Sequence, residues 1–266
     1  MLEKSKKQKS KFPELLEKVI DHSDMVLEVL DSRFIEKTRN LEIEKLIKKQ
    51  KKPLIYVLNK SDLINVSKIP KKTLDSLRPY VFISAINRKG GRQLRDKIKI
   101  ISRQVIRIKK EERVSVGVIG YPNTGKSSVI NLLTGKSSAR IGAAAGFTKG
   151  IQKLKLSSDI VLLDSPGVIP EIDYSSSDKI QMSKNAILGA RDYHKIKEPE
   201  IVISELIKEY KEDFERTYNT KIEDSEDLLE EVGKKLNIFK KGGMVNTDQV
   251  ARRILKDWQH GKIRIL

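Results

Sequence analysis

Five short apolar runs punctuate the first two-thirds of the chain: MVLEVLD (25–31), PLIYVLNK (53–60), YVFIS (80–84), VSVGVIG (114–120) and DIVLLD (159–164). Each is too short for a helix and rich in Val, Ile or Leu, which predicts buried strands. Between them lie NLEIEKLIKKQ (40–50), GGRQLRDKIKIISRQVIRI (90–108) and GKSSVINLLTG (125–135), which read as helices. Strand alternating with helix predicts an α/β fold with a mostly parallel sheet and helices on both faces. The stretch IQKLKLSS (151–158) alternates apolar and polar residues. It predicts one more strand at a sheet edge, paired antiparallel with the next.

After Gly167 the texture changes. VIPEIDYSSSDK (168–179) carries three acids, serines and a proline and reads as a loop. From about Glu198 three charged segments read as helices: PEIVISELIKEYKEDFERTY, SEDLLEEVGKKLNIF and NTDQVARRILKDWQHGKIRIL. Ser225 is the expected cap of the second, and Gly233 its end or interruption. The expected organisation is an α/β domain over 1–197 and a small all-helical domain over 198–266. Trp258 is expected to pack inside that small domain.

Composition narrows the partners. The chain has 266 residues and a formal net charge of +18, a field that favours polyanions. The charge is uneven: residues 1–11 hold five Lys against one Glu, 88–113 hold eleven Lys or Arg against three acids, and 234–266 hold nine against two. Three separate basic segments favour RNA phosphates over an ordinary solvated surface. There is no cysteine, so no disulfide partner and no Cys-ligated zinc is possible, and a cytoplasmic location is expected. The basic start has no apolar run behind it, and no stretch approaches the ~18 apolar residues of a membrane span. A monomer without membrane attachment is expected.

The candidate chemistry begins at GYPNTGKSS, Gly120 to Ser128. Gly120-x-x-x-x-Gly125-Lys126-Ser127 after a strand and opening a helix is a phosphate-binding loop, with Asn123, Thr124 and Ser128 inside it. Backbone N–H groups and the helix N-terminus would face the phosphates. Lys126 would reach the outer phosphates and Ser127 would ligate Mg²⁺. Further on, DSPG (164–167) ends a strand: Asp164 can hold Mg²⁺ and the Gly167 N–H can sense a γ-phosphate. Thr148 sits between, in IGAAAGFTKG, and can add a hydroxyl to the metal. Taken alone, DSPG and Thr148 also fit ordinary turns.

More than a hundred residues precede this loop, and they contribute to the same site. NKSD (59–62) at the end of the second predicted strand is a guanine-reading pattern. Asp62 would accept from N1–H and the 2-amino group, Lys60 would lie along the base plane, and Asn59 would bind the nucleotide as part of the same motif. SAIN (84–87) ends the next strand, and a backbone N–H at Ser84 or Ala85 would reach the guanine oxygen. The order is base motif, second base motif, phosphate loop, Thr148, then DSPG. That is a circular permutation of the usual GTPase order.

The chain resembles the circularly permuted GTPases of the YlqF (RbgA) type, involved in ribosome assembly. The resemblance covers almost the whole chain through SDMVLEVLDSR (23–33), NKSD, SAIN, GYPNTGKSSVIN, GFTKG, DSPGV and ILKDWQHGKI. It departs at DSRFIEKT, where the family often has D-A-R-x-P. The resemblance implies a P-loop GTPase domain with a helical C-terminal domain that binds rRNA and large-subunit particles. It implies GTP or GDP as ligand and Mg²⁺ as cofactor. Turnover would be slow, because Val168 stands where other GTPases place a water-orienting glutamine. Asn123 matches the asparagine that helps seat K⁺ in potassium-dependent relatives. A GTPase in another RNA process, such as tRNA modification, and an RNA-binding module with structural nucleotide are the two other compatible readings.

Overall fold

The computed structural model describes residues 15–110, 112–135, 152–165 and 179–265. The chain divides into two compact units, Met1–Pro170 and Glu171–Leu266. The first unit holds strands β1 (Met25–Asp31), β2 (Leu54–Asn59), β3 (Tyr80–Phe82), β4 (Val114–Gly120), β5 (Gln152–Lys155) and β6 (Ile160–Asp164). They form one sheet in the order β3-β2-β1-β4-β6-β5. All neighbours are parallel except β5, which lies antiparallel on β6 at the edge, with Leu154 opposite Leu162. Every expected strand is present, and the alternating segment takes the edge position its pattern requires.

Both faces of the sheet are covered. On one, Met25, Leu27, Val29, Val116 and Val118 pack under helices Gly91–Lys109 and Lys126–Thr134. The long helix buries Leu94, Ile98, Ser102 and Val105, one stripe at helical spacing. Arg92, Lys99, Arg103 and Arg107 face outward from it. On the other face, Val26, Ile119 and Leu163 meet Ile47 of helix Leu41–Lys49 and Leu16, Val19 and Ile20 of residues 15–21. Leu30, Tyr56, Leu58 and Leu77 continue that layer.

From β1 the chain winds outward through β2 and β3; from β4 it winds the other way. The reversal lies between β1 and β4, and a crevice at the C-terminal ends of such strands is where ligands of open α/β sheets bind. Asp31 ends β1 and Gly120 ends β4.

The second unit contains helices Lys179–Ile187, Pro199–Tyr218, Ser225–Lys235 and Thr247–Gln259. Trp258 is fully buried, with Phe214 stacked at 5.7 Å and Tyr210 at 5.0 Å between ring centres. Its indole N–H donates to the Ile187 carbonyl at 2.9 Å, so it packs in the helical unit as expected. Gln259 Nε2 donates to the carbonyls of Ala186 and Arg191. These contacts tie helix Lys179–Ile187 into the C-terminal unit, so the division falls earlier than 197/198.

Two local expectations are corrected. Asp224, not Ser225, caps helix Ser225–Lys235, accepting from the N–H groups of Glu226 and Asp227 at 2.9 Å each. An ionised carboxylate is the stronger acceptor at a helix N-terminus. Gly233 lies buried inside that helix, where an added Cβ would stand 2.3 Å from Val245 Cγ1. It is there for close packing and does not end the helix.

Candidate nucleotide site

β4 runs into the loop at Gly120–Gly125, and helix Lys126–Thr134 follows at once. Gly120, Asn123 and Gly125 all have positive φ, which curls the loop so that N–H groups can turn inward. The Thr124 hydroxyl donates to the Tyr121 carbonyl at 2.9 Å and steadies the curve. The buried Lys126 folds back over it, with Nζ 3.2 Å from the Gly120 carbonyl. Burial lowers its pKa to about 8, against the pull of the Asp164 charge. A buried ammonium without an ion pair among the described residues is a socket for an anion. Ser127 and Ser128 occupy the first turn of the helix, half-buried.

The base motifs converge on this loop. Asn59, at the end of β2, is buried. Its Nδ2 donates to the Thr124 carbonyl at 2.8 Å, and its Oδ1 accepts the Ala85 N–H at 3.2 Å. One side chain therefore fastens the phosphate loop to SAIN. Gly125 has φ +93, and a Cβ there would lie 2.2 Å from Asn59 Nδ2, so the strut requires glycine at this position. Ala85 N–H is engaged by Asn59, and Ser84 N–H donates to the Lys89 carbonyl at 3.2 Å. Asp62 follows in a short helical turn, Ser61–Leu63. Its Oδ1 is buried with no hydrogen-bond partner among the described residues. A carboxylate oxygen in that condition suits an external N–H donor such as a guanine edge.

Asp164 ends β6 beside Val118 of β4. Neither of its oxygens has a hydrogen-bond partner among the described residues. Burial raises its pKa to about 6, opposed by the Lys126 charge. Two bare carboxylate oxygens beside the phosphate loop suit a hard divalent cation. Among the described residues no cluster of three or more His, Cys, Asp or Glu could hold a metal alone. Thr148 and Gly167 lie outside the described residues, as does Val168.

A further part of the site comes from DSRFIEKT, the stretch that departs from the D-A-R-x-P pattern. Asp31 and Arg33 are nearly sealed from solvent. Asp31 accepts from the Arg33 backbone N–H (3.1 Å), Arg33 Nε (3.0 Å), Arg33 Nη2 (2.8 Å) and Lys60 Nζ (2.7 Å). Burial alone would raise its pKa, but the two cations overcome that and hold the carboxyl well below the usual range. In the sequence these two residues stand in SDMVLEVLDSR and DSRFIEKT, which carried the resemblance but named no partner for Asp31.

Built this way, the crevice has the phosphate loop of a P-loop fold, and the strand carrying NKSD precedes that loop in the chain. A family model described as 50S ribosome-binding GTPase matches residues 115–239. The match starts at β4 and leaves NKSD upstream, as a permuted order requires. An uncharacterized GTP-binding protein of Methanocaldococcus jannaschii is 39% identical over 265 residues, covering 94% of this chain and 65% of that protein. Nucleolar GTP-binding protein 2 of Saccharomyces cerevisiae is 34% identical over 267 residues, covering 97% of this chain and 53% of its own length. The chain thus spans between about half and two-thirds of these relatives. GNP-bound YlqF from T. maritima superposes with a TM-score of 0.66 at 21% identity, covering 96% of this chain and 95% of that one. The chain has the P-loop GTPase fold of YlqF, and over nearly its whole length it is similar to proteins named as GTP-binding.

Proposed function

We propose that this chain binds GTP and GDP, hydrolyses GTP slowly with Mg²⁺, and serves as a nucleotide-dependent switch on large-subunit ribosomal particles. The observation that carries the reading is the set of buried carboxylate oxygens on either side of the phosphate loop that have no hydrogen-bond partner among the described residues: Asp62 Oδ1 at one end, and both oxygens of Asp164 at the other. A guanine edge satisfies the first and a divalent cation the second.

Lys126 and the loop N–H groups hold the phosphates. Ser127 and Asp164 would hold Mg²⁺, with Thr148 joining when triphosphate is bound and the Gly167 N–H reading the γ-phosphate. Bound Mg²⁺ neutralises the charge that builds on the phosphate oxygens during transfer. Asn123 would help seat a K⁺ ion that adds positive charge at the same place. The hydrocarbon at Val168 polarises no water, hence the slow intrinsic rate.

The ribosomal part rests on three supports. The matching family model is described as ribosome-binding, a yeast relative is named nucleolar, and the outward face of helix Gly91–Lys109 is basic. Among the described residues no helix is long and apolar enough to cross a membrane, and we place the protein in the cytoplasm as a monomer. Co-sedimentation with large-subunit particles over a salt series, with a non-hydrolysable GTP analogue, GDP or no nucleotide, tests the reading. Binding is expected to be strongest with the analogue and to fall steeply with salt. Equal binding in all three states would favour an RNA-binding module in which nucleotide is structural.

A further inference from the structure

β1 and β2 lie side by side with Asp31 opposite Asn59. The next residue, Lys60, turns back across the end of β1. It does so from a left-handed backbone conformation, φ 62, which is strained for any residue with a side chain. Strain of this kind persists where the surroundings over-determine a conformation, and such places cluster at ligand sites. The over-determining contact here is the bond from Lys60 Nζ to Asp31 Oδ2 at 2.7 Å.

Asp31 is fixed in turn by Arg33. The guanidinium grips both carboxylate oxygens in a fork, and the Arg33 backbone N–H adds a third bond. Such a planar clamp allows one orientation only. The turn carrying Arg33 (Ser32–Phe34) packs against the turn carrying Asp62 (Ser61–Leu63). The β1–β2 ladder already joins the two strands through backbone bonds, so the charged triad is not needed to hold them together. What it does fix is the course of the Lys60 side chain, 19% exposed while its partners are 1% exposed.

We propose that Asp31, clamped by Arg33, is a positioning residue for guanine recognition. It draws the Lys60 ammonium down and so lays the aliphatic stem of that side chain along the plane where the base must sit, next to Asp62. The proposal rests on the guanine-site reading above. Asp31 touches no nucleotide itself; it acts through Lys60, and that makes it testable.

The test is a double-mutant cycle read by titration with a fluorescent GDP, with thermal unfolding of each variant measured in parallel. Asp31→Asn in the otherwise unchanged chain is expected to weaken GDP about tenfold, the worth of a charge-assisted positioning bond. It should raise KM for GTP by a similar factor and leave kcat within about twofold, since the phosphate half of the site is untouched. In a Lys60→Met background, which keeps the stem and lacks the ammonium, Asp31→Asn should add less than about twofold. Asp31→Asn removes the carboxylate that the two cations share, so the cycle is repeated with Asp31→Asn/Arg33→Met, which removes the clamp as a neutral unit and should give the same pattern. Equal weakening in both backgrounds, or none in the parent, would overturn the proposal alone. A parent chain that binds no GDP would overturn the guanine site and this proposal with it.

Discussion

Asn59 Nδ2 donates to the Thr124 carbonyl across 65 residues of sequence, at 2.8 Å and out of contact with solvent. That bond joins the NKSD strand to the phosphate loop. Chain permutation leaves it intact, because it depends on where strands end in the sheet and not on which is made first.

Asn59→Ala should therefore damage both halves at once. It leaves the Thr124 carbonyl and the Ala85 N–H without their partner, which costs about 1–3 kcal/mol for a buried group. Urea unfolding should show a loss in that range, and GDP affinity should fall with it. Loss of affinity at unchanged stability would mean that the strut is not structural.

A second prediction concerns pH. Glu28 stands in the fully buried β1, with Oε1 accepting the Asn40 N–H at 3.0 Å and Oε2 without a hydrogen-bond partner among the described residues. Burial, helped by the Glu44 charge, pushes its pKa up to about 8, while Asn40 and Arg39 pull it down. Arg39 and the Tyr56 hydroxyl are both engaged with Glu44. A carboxyl that keeps its proton in the fold but loses it near pH 4.5 when unfolded destabilises the fold as pH rises between those values. Its contribution is fully present below about pH 4.5 and lost on the way to about pH 8. Glu28→Gln should flatten the pH dependence of unfolding free energy in that window by up to about 1.4 kcal/mol per unit. A parallel curve for the variant would refute the buried neutral carboxyl.

The third tests the cation reading of Asn123. Turnover in KCl should exceed that in NaCl at equal ionic strength, and Asn123→Ala should remove the difference. Equal parental rates in the two salts would argue against K⁺ at this loop.

The fourth concerns the C-terminal unit. Trp258→Ala should destabilise it by about 3–5 kcal/mol, the usual cost of emptying a buried aromatic site. The loss should be visible by hydrogen exchange across helices Pro199–Tyr218 and Thr247–Gln259, with GDP affinity retained. Exchange confined to Trp258's own helix would show that the indole does not hold the unit together.

The strands were legible because buried parallel strands are short, apolar and bounded, and even the edge strand announced itself by alternation. NKSD, SAIN and the phosphate loop were legible as local patterns. Helix Lys179–Ile187 was not, because it is short and its place depends on carbonyls that receive Trp258 and Gln259, some seventy residues away. Gly233 misled for a similar reason: glycine usually stops a helix, but here Val245 and Val250 come too close for any side chain. The Asp31–Arg33–Lys60 triad was out of reach, since pairing Asp31 with Lys60 requires knowing that β1 and β2 end side by side.

The central claim is that residues before and after the permutation point build one guanine site. Titration of the purified chain with GDP, ADP and XDP, for the parent and for Asp62→Asn, tests it most directly. The parent should prefer GDP over ADP by about two orders of magnitude or more, because adenine leaves the Asp62 carboxylate without a donor. The variant should move its preference to XDP, whose 2-oxygen accepts from an amide where guanine's amino group donates to a carboxylate. Equal affinity of the parent for GDP and ADP would contradict the account.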